Sequence, residues 1–498
     1  MNKIVNPKAD VLFRRFFQDV SPMSSNINSF NYFIDVMLQQ IIEENKYIEP
    51  TIIPQNIDDF KIRLDKIWIT TPEITEADGS KRELWPHEAR IRSLTYSAPI
   101  YLTVSAHING IQRESFTTQI GNMPIMLKSK FCHLSKMTRE QLIAAGEDPD
   151  ELGGYFIVNG TEKSLIHIED LASNKFMVEK KTLGTVSYEG RLFSEYEAYK
   201  IPHSFELLND GIVYVSFTRM KRVPVVVLLK ALGMEKDDVI VRSIGAQELQ
   251  DEIFVNLFDF VGIKTAEDAQ DWIAKKMGIT QTKDIRLERV NELLDRFLFP
   301  HLGTETKFRE LKAQNLAKLM KRFLYVSSKR IPTDDKDHYI NKRIKMSGDL
   351  LADLFRANLR VLIDDLLYNF QRIVKRGKFP SIKVIIRDKL LTSRIYSAMA
   401  TGNWVGGRKG ISQRIQRMNY LDMMSHLQRV VSPLSTSQEN FEARALHPTH
   451  MGRLCPVETP EGTNVGLRKN LALLSEVSLQ ADETEVLKVA KSLGLKTI

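Results

Sequence analysis

Cysteine is nearly absent from this chain: Cys132 and Cys455 are the only two in 498 residues. They lie far apart, so no disulfide framework is implied, and a reducing compartment fits. Long hydrophobic runs are also missing. The most apolar stretch, VPVVVLLKALG at 223–233, is far too short to span a bilayer. The N-terminus, MNKIVNPKADVLF, is polar and mixed in charge, unlike a signal peptide. A cytoplasmic location is therefore expected. Neither sign of charge dominates: 70 Lys and Arg stand against 62 Asp and Glu, a net +8. That excess permits an anionic partner without demanding one, and a slightly basic enzyme would look the same. No internal repeat or low-complexity tract is present.

What is present suits a soluble globular protein: 43% hydrophobic and 27% charged residues. The length predicts two to four modules. A first helix is expected after Asn28, where Phe30, Phe33, Ile34, Met37, Leu38 and Ile41 share a face. Then the period changes to two. YLTVSAHI puts Leu102, Val104, Ala106 and Ile108 on one side and runs into Asn109-Gly110, a type I′ hairpin signal. A second hairpin is expected at Asn159-Gly160, between GYFIV and TEKSLIHIE, and a third at Asp210-Gly211. Pro224 and Gly233 bracket a helix, and further amphipathic stretches reach Ser328 with Leu316, Leu319, Met320 and Phe323. The longest helical pattern runs from Asp349 to about Lys375, and the strongly basic KFPSIKVIIRDKLL follows it. The mixture of hairpins and helices gives an α+β, multidomain fold class.

Several stretches invite a chemical reading. TGNWVGGRKG (401–410) looks like a phosphate loop, but Gly410 stands where a Ser or Thr must hold magnesium. What survives is a glycine loop offering Arg408 and Lys409 to an anion; a solvent turn would look similar. In ISQRIQRMNYLDMMSHLQRV, Ile411, Ile415, Met418 and Leu421 form a helical stripe, with Gln413, Arg414, Arg417, His426 and Arg429 on the other faces. Such side chains can bond phosphate or ribose oxygens, as can any solvated face. His447, His450 and Cys455 lie within nine residues, yet their spacing is not that of a closed zinc site. Asp335 and Asp337 form a D-x-D that reads as a salt-bridged turn beside Lys342 and Arg343, not a two-metal site. In RLCPVETPEGTNVGL, Thr459-Pro460-Glu461-Gly462 reads as a type I turn; of Glu458 and Glu461, one carboxylate would fix the loop and the other be displayed, and two solvated carboxylates would look the same. Between residues 402 and 470, nine basic residues face five acidic ones, half the net charge of the chain. That is the footprint of a surface for a nucleic-acid backbone.

GNWVGGRKGISQRIQRMNYLDMMSHLQRVVSPL followed by ARALHPTHMGRLCPVETPEGTNVGLRKNLAL resembles the fork region of the second-largest subunit of multisubunit RNA polymerases. RSLTYSAPIYL, MPIMLKS, GGYFIVNGTEKSLI and DDKDHYINKRIKMSGDLL resemble that family upstream, in family order. The resemblance implies a protrusion (1–180 and 336–397), a lobe (181–335), a fork (398–478) and the start of an external domain (479–498). It implies the archaeal arrangement in which the subunit is split, this chain being B-double-prime; a truncated form of an unsplit subunit is the alternative. Gln413, His426 and Arg429 match positions facing the RNA–DNA hybrid. Arg444 and Glu461 match positions near the incoming nucleotide, which leaves Glu458 to fix the loop internally. Arg408, Lys409, Lys342 and Arg343 are candidate backbone contacts. The stretch SPLSTSQENFEA (432–443) matches the fork loop at the edge of the melted bubble, without its usual glycine. No catalytic residue and no metal ligand are expected in this chain. Mg2+ would serve the assembled enzyme from the largest subunit, whose DFDGD-type loop this sequence lacks. Implied partners are the C-terminal half of the same subunit (B-prime), the largest subunit, the other polymerase subunits, the DNA template and the RNA transcript. Two rival readings remain at this level: an independent nucleic-acid-binding scaffold, and a metal hydrolase built on His447, His450 and Cys455.

Overall fold

A computed structural model of the chain describes all residues except 1–10, 13–14, 17–20, 54–56, 182–183, 197–198, 246, 379–380, 438, 481–482 and 496–498. Most of the polar N-terminus, Phe379 and Pro380 of the basic segment, and Gln438 of the 432–443 stretch thus lie outside the described residues. The chain divides into two compact units: residues 1–170 with 344–498, and residues 171–343.

In the first unit the opening helix spans Ser24–Tyr32, passes through a π-helical turn, Phe33–Met37, and ends as Leu38–Glu44. It begins before Asn28, earlier than its apolar period suggests, because its polar first turn is buried by specific partners. Asn26 Nδ2 donates to Gly154 O (2.8 Å), and Ser347 Oγ donates to Asn26 Oδ1 (2.5 Å). Ser29 Oγ accepts from Gly348 N–H (3.1 Å). A Cβ at position 348 would lie 2.1 Å from Ser29 O, so only glycine permits this approach.

Glycine 348 sits in the first turn of the long helix Ser347–Val374. Leu351, Phe355, Leu359, Leu362, Leu366 and Phe370 recur at helical spacing along its buried face. Each side chain so buried contributes roughly 1.5–3 kcal/mol. Beside it stands an antiparallel four-stranded sheet in the order Tyr47–Ile48, Phe60–Ile69, Ser97–Ile108, Ile111–Pro124. Phe60 stacks on Phe370 at 4.9 Å. The alternation holds for Leu102, Val104 and Ala106, and Asn109 (φ 49°) with Gly110 (φ 77°) gives the two left-handed residues of a type I′ turn.

The second unit is an antiparallel meander, Phe176–Lys180, Val186–Tyr196, Tyr199–Leu208, Val213–Phe217 and Met220–Pro224, followed by helices. The longest of these is Arg309–Ser327, with Leu316, Met320 and Phe323 buried and Leu319 partly so. The third hairpin is longer than a two-residue turn: Gly211 N–H donates to Leu208 O (3.1 Å), and only Gly211 takes positive φ, 79°. That is a type I turn closed by a left-handed glycine. Lys312 is wholly buried, and its ammonium caps a helix end through Leu294 O (3.1 Å) and Asp295 O (2.6 Å).

Candidate nucleic-acid interface

Two small sheets in the first unit carry the cationic region. In one, Ser412–Arg414 pairs antiparallel with Thr161–Leu165, which pairs with Phe156–Val158 through the Asn159-Gly160 turn. In the other, Arg429–Val431 runs parallel to His167–Leu171 and antiparallel to Arg468–Asn470. TEKSLIHIE is therefore two strands, not one. The chain changes sheets at Ile166, whose N–H donates to Ile411 O (2.9 Å).

This architecture overturns the single helix expected over 411–421. Ile411 and Ile415 are buried, but Met418 is 90% exposed and Leu421 68%. Strand pairing claims Ser412–Arg414, and Ile415 N–H continues the ladder to Glu162 O (3.1 Å). The helix starts only at Tyr420, where Asn419 Oδ1 caps the N–H of Asp422 (2.8 Å). Tertiary pairing outweighs a weak helical period.

Three of the expected residues converge here. His426 is 2% exposed. Its Nδ1 accepts from Gln416 N–H (3.0 Å), so the ring proton resides on Nε2, which faces Gln413 Oε1 at 3.4 Å. Burial, and then the neighbouring Arg429, push its pKa down to about 4. His426 is thus a neutral N–H donor near pH 7. Gln413 is itself held by Nε2 donating to Gly410 O (2.9 Å). Arg429 Nη2 donates to Gln416 Oε1 (3.3 Å). Burial and the nearby Arg468 disfavour the charge on Arg429, and Asp422 and Glu458 offset this only in part. Arg429 and Arg468 stand on paired strands, and among the described residues neither has an ion-pair partner. A cleft of about 430 Å³ adjoins Arg468, lined also by Ile166, Ile168, Lys409, Gln413 and Ser432. Arg408 lines it too but is paired with Asp170 (3.2 Å).

The proline-rich loop is stiff in a different way from the type I turn expected. Glu461 is extended (φ −76°, ψ 161°), and the turn lies one residue later, where Gly462 takes φ 81° and Val465 N–H donates to Gly462 O (3.1 Å). A proline followed by an extended residue cannot close a type I turn, which needs ψ near 0° at that position. Thr459 Oγ1 ties the two ends of the loop, donating to Arg468 O (3.0 Å) and accepting from Gly466 N–H (2.9 Å). Arg444 grips it from below: its guanidinium donates to Thr463 O (2.7 Å), Val465 O (3.1 Å) and Thr436 O (3.0 Å). Glu461 is left exposed at the tip. Glu458 does not fix the loop to itself; it accepts from Ser425 Oγ on the helix Tyr420–Leu427.

His447, His450 and Cys455 take backbone roles. His447 Nδ1 accepts from Thr449 N–H (3.2 Å), His450 Nδ1 accepts from His447 N–H (3.4 Å), and Cys455 N–H donates to Asn470 O (2.9 Å). Among the described residues no three His, Cys, Asp or Glu side chains gather into a metal site, so they offer magnesium no cradle. Lys342 and Arg343 belong to the second unit; Lys342 is paired with Asp337 (3.2 Å), the salt-bridged turn expected there. Among the described residues no helix is long and apolar enough to cross a membrane.

The description "RNA polymerase beta subunit" matches residues 22–393, and "RNA polymerase Rpb2, domain 3" matches 413–477. The chain belongs to the RNA polymerase beta-subunit family. It corresponds to the N-terminal half of the second-largest subunit. It is 42% identical to the DNA-directed RNA polymerase subunit Rpo2N of Methanocaldococcus jannaschii, over 96% of this chain and 97% of that one. To Rpo2N of Methanococcus vannielii it is 40% identical, over 97% and 98%. To Rpo2 of Saccharolobus solfataricus it is 41% identical over 96% of this chain, but spans only 42% of the relative's length. The second family match begins at Gln413, where the His426 cluster begins.

Sequence reasoning missed Gln416, which joins His426 to Arg429, and the pairing of Arg417 with Glu162. Only the strand register, which brings 412–414 beside 163–165, reveals both.

Proposed function

We propose that this chain is a subunit of DNA-directed RNA polymerase, forming one wall of the DNA cleft and the fork near the active site. It supports template-directed synthesis of RNA from nucleoside triphosphates. In this reading 1–180 and 336–397 are the protrusion, 181–335 the lobe, 398–478 the fork and 479–498 the start of the external domain. Gln413, His426 and Arg429 face the RNA–DNA hybrid, Glu461 stands near the incoming nucleotide with Arg444 supporting it, and Lys409 and Arg343 contact the nucleic-acid backbone. Arg408 and Lys342 contribute there after exchanging their carboxylate partners for phosphate.

The observation that carries the reading is that Arg429 and Arg468 stand on paired strands, neither with an ion-pair partner among the described residues, with Gln413 and a neutral His426 beside them. Guanidiniums without a carboxylate partner favour an anion, and Gln413 and His426, now bonded to each other, can turn a donor toward ribose or phosphate oxygens when one arrives. In this reading Mg2+ is held by the largest subunit, and the isolated chain makes no RNA. The partners are the C-terminal half of the same subunit, the largest subunit and the remaining subunits, in the cytoplasm. The test is a density map of the assembled polymerase holding a template and a short transcript. Gln413, His426 and Arg429 are expected within hydrogen-bond reach of the transcript or its hybrid. A 402–470 segment facing bulk solvent, away from both strands, removes the reading.

A further inference from the structure

We infer that Arg417, together with Glu162, is a positioning residue that holds the Gln416–His426–Arg429 cluster in register; the inference rests on the hybrid-facing role proposed above. Arg417 follows Gln416 in an irregular loop between the strand Ser412–Arg414 and the helix Tyr420–Leu427. Such a loop would ordinarily be the loosest part of the site. Instead it is anchored. The Arg417 guanidinium grips both carboxylate oxygens of Glu162, with Nη2 to Oε1 at 3.0 Å, and lies over the Tyr155 ring at 5.6 Å. Nη2 also donates to the Tyr155 hydroxyl (3.0 Å).

The anchor is itself braced. Arg90 donates to Glu162 (2.9 Å), to Glu147 (3.0 Å) and to the Tyr155 hydroxyl (2.8 Å), and that hydroxyl donates to Glu151 (2.8 Å). The Glu147 and Glu151 side chains are 2% and 3% exposed. An isolated surface pair would contribute little, but a bidentate pair within a partly buried network resists rearrangement. One residue before Arg417, Gln416 makes both contacts that define the cluster: its N–H fixes the His426 tautomer, and its Oε1 receives Arg429. A loop displaced by about 1 Å would lose both.

The test uses polymerase assembled from all its subunits on a preformed template–transcript scaffold, comparing wild type with Arg417→Ala, Arg417→Lys, Glu162→Gln, Arg429→Ala and the double Arg417→Ala/Arg429→Ala. The readouts are the half-life of the complex at raised salt and the separate KM and kcat for the next nucleotide. Arg417→Ala is expected to shorten the half-life roughly five- to tenfold, leaving the nucleotide KM unchanged. Arg417→Lys should recover part of the loss, since it keeps the charge but not the fork. The double variant should be no worse than Arg429→Ala alone. If Arg429→Ala weakens the complex but Arg417→Ala matches wild type, or if the two effects add fully, the positioning role is overturned and the hybrid-facing reading stands. If Arg429→Ala itself has no effect, that reading falls and takes this inference with it. Should Arg417→Ala fail to assemble, Arg417→Lys and Glu162→Gln decide by the same criteria.

Discussion

Removing the Arg444 guanidinium should free the loop that displays Glu461. In Arg444→Ala three carbonyls, on Thr463, Val465 and Thr436, lose their charged donor. The site is half-exposed, so water replaces part of each bond, and a net of about 1 kcal/mol apiece is appropriate. The loop's local opening then becomes easier by about 2–3 kcal/mol, which is roughly a 30- to 150-fold rise in the open population. Lysine should not rescue it, because one ammonium cannot span three carbonyls on separate segments. Hydrogen exchange of the 459–467 segment in the assembled polymerase measures the effect directly. Faster exchange there and around Thr436, with the long helix Ser347–Val374 unchanged, is the expected pattern. Wild-type exchange in Arg444→Ala would refute the clamp.

Other outcomes follow from the same geometry. Glu461→Ala should slow single-nucleotide addition by the assembled enzyme without altering loop exchange; unchanged addition kinetics would remove Glu461 from the nucleotide site. Gly466→Ala should disrupt the loop, because φ is 71° and the new Cβ would lie 2.2 Å from Arg444 O; a variant with normal loop exchange would contradict this. His167 is buried, among the described residues neither ring nitrogen has a hydrogen-bond partner, and burial lowers its pKa to about 4. The unfolded chain therefore takes up the proton first: this stability is complete above about pH 6.5 and declines as pH falls toward 4, by about 3 kcal/mol in total. His167→Leu should flatten that decline in urea unfolding, and an unchanged pH profile would count against it.

Periodicity was a good guide where local pattern and tertiary demand agree. The long helix, the sheet strand with Leu102, Val104 and Ala106, and the Asn-Gly turns at 109 and 159 were all legible, because burial there acts on one face of one element. It misled at 411–421, where Ile411 and Ile415 sit four apart yet flank a short strand, Ser412–Arg414. Their partner, Thr161–Leu165, lies some 250 residues earlier, and no window around 411 contains it. The same cause hid Gln416 and the Arg417–Glu162 pair. The proline-rich loop was legible as stiff but not in shape: Pro460 fixes its own φ, whereas the ψ of Glu461 is settled by Thr459 and Arg444 bonding across the loop.

The cations of the 402–470 segment divide by what they face, and that division matters more than their number. Arg408, Arg417 and Lys469 are held by Asp170, Glu162 and Glu169, and Arg444 by backbone carbonyls. These hold the chain in place. Arg429 and Arg468, on paired strands, lack such partners among the described residues, and Arg429 lies near an imidazole kept neutral by burial. The charge of Arg468 disfavours that of Arg429, and an anion bound beside them would relieve it. A surface used only for solubility would spread such charges apart. In the proposed role the opposite arrangement is an advantage: a few cations without ion-pair partners on paired strands would hold a moving polyanion without strong trapping.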